Sequence, residues 1–219
     1  MTEFVSVVLK ETELVWDDVF ESYNRTYNHP GLVIYQDSVQ SACGSADSAV
    51  GPFYCSLDKK IYIDLVFYKE LTTKYSAPGD YAMAYVLAHE VGHHVQNELG
   101  IISEVNKLME NSSQAKANDL SVRLELQADY LAGVFTHHLN NKGLLDVGDI
   151  EEAMKAAHSV GDDTLQKKHQ GYVVPDSFTH GTSEQRMRWF NKGYSSGDLS
   201  DWDTFNTNSL HRNNSFNLY

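Results

Sequence analysis

The chain has 219 residues, 30 acidic against 17 basic side chains and a net charge of -13. That balance, with no basic cluster, excludes the electropositive footprint nucleic-acid binding requires, and favours neutral or cationic partners such as peptides. The length suits a single domain over 1–219 with a sizeable core, and no linker, repeat or coiled-coil pattern divides it.

In chain order, a helix is expected from Glu11 to Tyr27, and strands gather between Leu32 and Tyr68. Cys43 and Cys55 flank a loop holding Gly44, Gly51 and Pro52, and read either as one bridge or as a pair of buried thiols. Two cysteines do not make a disulfide scaffold. The run Lys60-Ile61-Tyr62-Ile63-Asp64-Leu65-Val66-Phe67-Tyr68 is rich in β-formers and reads as a strand. A second helix runs from Asp80, a candidate N-cap after Pro78-Gly79, to Leu99, with Gly100 as its stop. Further helices are expected over Gln114 to Asn140, Asp149 to Gly161 and Ser183 to Gly193. The polar, Asn-rich stretch from 206 to 219 reads as a mobile tail. The fold class is α+β, mainly helical, with a small antiparallel sheet before the second helix.

Within that helix stands His89-Glu90-Val91-Gly92-His93. Four helical residues return the chain nearly to one face, so both rings can meet one Zn²⁺, while Glu90 lies beside them as a base for its water. The bland alternative is two ordinary core histidines. A catalytic zinc usually keeps three protein ligands. Gln96 and Leu99 stand where a metzincin would carry Gly and His, which excludes that class. Glu98 and Glu104 are expected to be solvated. Glu125 is the candidate third ligand, and Asp129, one turn on, can accept the second N–H of a ligand histidine. The alternative is a helix surface with two solvated acids, which would repel mildly.

These stretches, together with Ala42-Cys43-Gly44-Ser45-Ala46, Gly51-Pro52-Phe53-Tyr54-Cys55, Val160-Gly161-Asp162-Asp163 and Thr179-His180-Gly181-Thr182-Ser183-Glu184-Gln185-Arg186, resemble the bacterial neutral zinc metallopeptidases. Their helix pair is similar to that of the gluzincins. The resemblance implies His89, His93 and Glu125 as ligands of one catalytic Zn²⁺, Glu90 as base and Asp129 as the acid behind a ligand. Relatives often carry a cysteine after the Asp of the second helix and another before Asp-Thr-Phe; Tyr130 and Trp202 stand there instead. Many also begin with a membrane-spanning segment. This chain has no 18-residue apolar run and no signal-peptide pattern at Met1-Thr2-Glu3-Phe4, so it reads as soluble as given, or as an exported or anchored domain lacking its anchor. A Cys43–Cys55 bridge would fit the second case.

Gluzincins pair the extended substrate with a strand before the metal helix, so Lys60–Tyr68 is the candidate edge; an internal strand with both edges paired is the alternative. His180 and Arg186 are candidates for steadying the oxyanion. Their alternatives are a turn-forming role beside Gly181, and a salt bridge to Asp129 or Glu184. His94 is expected to pack or hydrogen-bond locally, and His137 and His138 to lie on the surface. The expected function is hydrolysis of a peptide or protein substrate. A zinc-bearing domain that binds a peptide without cleaving it, or a hydrolase of a non-peptide amide, are the rivals.

Overall fold

The computed structural model describes residues 2–47, 51–73 and 79–206. The expected mobile tail falls almost wholly outside them. The first helix, α1 (Thr2–Ser22), begins nine residues earlier than its sequence suggests. Val5, Val8, Leu9, Thr12, Val15, Trp16, Val19 and Phe20 recur at helical spacing and are all buried, so one apolar face drives the helix despite its β-branched residues. It stops at Ser22, and Asn24 turns the chain with a left-handed φ of 56°.

Among the described residues five short strands follow: β1 (Gly31–Tyr35), β2 (Ser38–Ser41), β3 (Gly44–Asp47), β4 (Phe53–Cys55) and β5 (Lys60–Asp64). β2 and β3 form an antiparallel pair, while the main sheet has the order β1-β5-β4. That sheet is mixed rather than antiparallel, because β1 runs parallel to β5 and β4 antiparallel to it. β5 is therefore the central strand, which corrects its reading as an edge. The run from Lys60 to Tyr68 also breaks at Asp64, whose carboxylate accepts the Val66 N–H at 2.9 Å and opens α2 (Leu65–Thr73). Cys43 and Cys55 are bridged, tying the turn between β2 and β3 to β4.

The metal-motif helix is α3 (Asp80–Glu98). Its N-cap is Gly79, not Asp80; the Tyr81 N–H is taken instead by Glu152 at 3.2 Å. Gly100 ends it in the left-handed conformation, as expected, but at once opens α4 (Ile101–Glu110). Then come α5 (Gln114–Asn141), capped by the Ser113 side chain, α6 (Asp149–Ser159), α7 (Asp162–Gln170) and α8 (Ser183–Ser196), which opens with a reciprocal capping box between Thr182 and Gln185. One principal core runs from Val5 of α1 to Phe190 of α8 and takes in α3 and α5.

Two close approaches place the site. A Cβ on Gly92 would stand 3.0 Å from the Ala128 carbonyl oxygen, so the glycine between the motif histidines lets α3 lie directly against α5. At the crossing of α5 and α8, Gly133 and Gly193 each face the other helix's backbone. His137 and His138, half-buried rather than on the surface, hold the end of that crossing by binding the Tyr194 and Gly197 carbonyls at 2.8 and 3.0 Å.

Candidate metal centre

α3 contributes His89, Glu90 and His93, and α5 contributes Glu125 and Asp129. Nε2 of His89 lies 3.0 Å from one Glu125 oxygen, and Nε2 of His93 lies 3.4 Å from the other. Zinc bonds of about 2.0–2.1 Å at tetrahedral angles put neighbouring donor atoms about 3.3 Å apart, so this spacing is that of ligands around one ion. The three residues are grouped tightly enough to share a metal, and their N,N,O donor set is one zinc accepts. A second group, Asp80, Asp149 and Glu152, lies at the start of α3 and offers carboxylates alone, one of them already used on Tyr81.

Each histidine is held from behind. His89 Nδ1 meets Asp129 at 2.8 Å, and His93 Nδ1 donates to the Gln96 side-chain oxygen at 2.8 Å. Gln96 in turn donates to the Leu124 carbonyl and to Gln127 on α5. Such contacts fix the tautomer and leave Nε2 for a metal. Asp129 is fully buried and bonded by Arg186 of α8 at 2.8 Å through Nε and 3.0 Å through Nη2, and the Tyr85 hydroxyl donates to it as well. Arg186 lines the cleft and makes the ion pair with Asp129 that was its alternative reading. Its carboxylate partner feels burial upward, but Arg186 and His89 outweigh that and hold Asp129 down at about 2.

The two cleft glutamates are pushed apart. Burial raises Glu90, with His89 and His93 opposing. Burial would raise Glu125 too, yet the nearby His93 and His89 hold it well below the carboxylate range. Glu125 is therefore held as the anion, and Glu90 is the more basic of the two carboxylates.

His180 stands on the far side of the cleft. Asp162, at the start of α7, accepts the backbone N–H groups of Thr179, His180 and Gly181 at 2.8, 2.7 and 3.0 Å, which shapes that loop. His180 Nδ1 faces Thr179 and Asp162 at 3.0 and 3.3 Å, which leaves Nε2. The hydrogen bond to Asp162 raises its pKa. Glu98 is not solvated: it pairs with Lys59 at 2.7 Å and receives Asn28 at 2.6 Å. His94 bonds locally, as expected: its Nε2 donates to the Asn28 carbonyl, so its Nδ1 accepts the Tyr54 hydroxyl at 2.9 Å, and β4 is strapped to α3. Gln96, Tyr85 and Asp162 are the participants the sequence reading passed over. Gln96 stands three residues after His93, and Tyr85 four before His89, spacings that would have placed both on the motif's own face.

Two helices gather two histidines and a glutamate that could hold a metal ion, with Glu90 beside them in a cleft of about 480 Å³ also lined by His180. The family described as "Putative neutral zinc metallopeptidase" matches residues 1–205, and the chain belongs to it. It is 52% identical over 203 residues to "Uncharacterized protein YpfJ" of Escherichia coli K12, covering 93% of this chain and 71% of that one. It is 38% identical over 209 residues to "Uncharacterized protein Rv2575" of Mycobacterium tuberculosis H37Rv, covering 90% of this chain and 68% of that one. No solved structure matches it. No helix among the described residues is long and apolar enough to cross a membrane.

Proposed function

We propose that the chain is a gluzincin-type zinc peptidase that hydrolyses peptide bonds, with His89, His93 and Glu125 as ligands and Glu90 as general base. The observation that carries this reading is the donor spacing of 3.0 and 3.4 Å with Glu90 in the same cleft. A bound zinc would polarise the scissile carbonyl and acidify a water. Glu90 takes the proton from the attacking water and passes it to the leaving amine, work that its raised pKa suits. Nε2 of His180, oriented through Asp162, donates to the developing oxyanion. Asp129 and Gln96 hold the two ligand rings, and Arg186 keeps Asp129 ionised. β4, whose one strand partner among the described residues is β5, offers the free edge along which an extended peptide pairs, since Phe53 and Tyr54 line the cleft.

Three donors from the protein, facing an open cleft, support catalysis over a structural zinc, which closes all four positions. The test measures zinc content and peptide hydrolysis together. Glu90→Gln should retain zinc and lose hydrolysis; retained hydrolysis removes Glu90 as base. Glu125→Ala should lose zinc, and normal zinc content would move the third ligand elsewhere.

A further inference from the structure

We infer that the segment 202–205, after α8, is a strap that positions the metal ligands: it grips α5 at Arg123 and Gln127, on either side of Glu125, and reaches His93 through Gln127 and Gln96. This rests on the zinc-ligand set proposed above.

The grip has two points. Gln127 donates through Nε2 to the Trp202 carbonyl at 3.4 Å. One turn earlier on α5, Arg123 donates through Nη1 to the Thr204 carbonyl at 2.7 Å, and its own carbonyl accepts the Thr204 hydroxyl at 2.7 Å. Asp203 holds the segment in shape by accepting the N–H groups of Phe205 and Asn206 at 2.8 and 3.2 Å. Trp202, Asp203 and Thr204 are all buried, and Phe205 packs on the cluster of Val105, Leu120 and Leu124. Glu125 thus lies between two points at which the segment is fastened to its helix.

Beyond Gln127 the hydrogen bonds run one way. A backbone carbonyl only accepts, so the Trp202 carbonyl turns the Gln127 amide with its nitrogen toward the segment and its oxygen toward α3. That oxygen takes one N–H of Gln96 at 3.0 Å, and the Leu124 carbonyl takes the other at 2.8 Å. The Gln96 oxygen then faces His93, whose Nδ1 donates to it at 2.8 Å, and the lone pair a metal needs is left on Nε2. Both glutamines are buried, where a reversed amide would strand polar groups at high cost, so the direction holds. Two ligands on two helices therefore answer to one segment.

The experiment measures zinc affinity by chelator competition in Gln127→Met, Thr204→Val, Thr204→Ser and Tyr130→Phe proteins, with folding checked by circular dichroism. Gln127→Met fills the volume without either amide bond, and Thr204→Val removes the hydroxyl; each should weaken zinc by about tenfold or more. Thr204→Ser keeps the hydroxyl and should keep the parent affinity. So should Tyr130→Phe, which deletes a hydroxyl bonded to Ser196 and the Asp198 carbonyl, a fastening of α5 that does not lead to a ligand. A long-range proton–nitrogen correlation spectrum of the zinc-loaded proteins should show the His93 Nδ1–H exchanging with water faster in Gln127→Met than in the parent. If Gln127→Met does not fold, the Thr204 pair decides. Parent affinity in both Gln127→Met and Thr204→Val, or an equal loss in Tyr130→Phe, overturns the strap. Because binding is read without substrate, weakening by the strap variants in a protein that cleaves no peptide overturns the peptidase and keeps the strap. A parent protein that binds no zinc overturns both.

Discussion

Replacing Gly193 with alanine sets two physical effects against each other with opposite signs. In an isolated helix the change would stabilise by about 1 kcal/mol, because alanine loses less backbone entropy than glycine. In α8 the new Cβ would lie 1.9 Å from the Tyr130 carbonyl oxygen and 2.8 Å from its carbon, on the backbone of α5, which has no rotamer to move. Real Cβ contacts stop at about 3.0 Å, so the helices must part by at least about 1.1 Å. Arg186 lies two turns earlier on α8; carried outward by that amount, its 2.8 and 3.0 Å bonds to Asp129 would exceed hydrogen-bonding distance. Overpacking costs about 1–3 kcal/mol, and a weakened buried ion pair adds to it. A net loss of about 3 kcal/mol corresponds, for a chain of this length, to a Tm lower by about 6–12 °C. Thermal unfolding followed by circular dichroism reads it, with Ser195→Ala, exposed on the same helix, as a control expected within about 0.5 kcal/mol of the parent. A Gly193→Ala protein as stable as the parent, or more so, would refute the close-crossing argument.

Arg186→Met should destabilise by about 3–5 kcal/mol in urea unfolding, because it strands the Asp129 carboxylate in the core, and should weaken zinc binding in a chelator competition. The double change Cys43→Ser and Cys55→Ser frees a loop closed over a sequence separation of 12 and should cost about 3 kcal/mol; an unchanged urea midpoint would show that the bridge contributes nothing. Burial lowers the His94 pKa below 6.5, with the bond to Asn28 opposing. The unfolded chain then binds a proton below pH 6.5 that the folded one refuses, so His94 makes stability rise with pH up to that value and level off above it. His94→Gln should flatten that part of the stability profile by up to one proton, and an equally steep profile would assign the slope to other groups.

The metal helix and its partner were legible because a long apolar stretch, a glycine stop and an i,i+4 pair of histidines agree with one another. Expected helices at Asp80–Leu99 and Gln114–Asn140 stand within a residue of α3 and α5. Shorter helices escaped for identifiable reasons. α7, Asp-Asp-Thr-Leu-Gln-Lys-Lys-His-Gln, buries only Asp162 and has no apolar face to reveal it. α4 was hidden by Gly100, which serves as the end of one helix and the start of the next. Inside Lys60–Tyr68, β-propensity concealed the capping role of Asp64. At the site, residue types were readable but choices among partners were not: the Arg186 salt bridge was open between Asp129 and Glu184, and only the crossing of α5 and α8 selects Asp129, 57 residues away.

That separation also orders events in time. At a synthesis rate of about 5–20 residues per second, Arg186 follows Asp129 by about 3–11 s. Throughout that interval only α3 can supply partners for Asp129, through His89 and Tyr85, and the carboxylate lacks its arginine. The ion pair behind His89 is thereby completed only after the ligands, when α8 arrives.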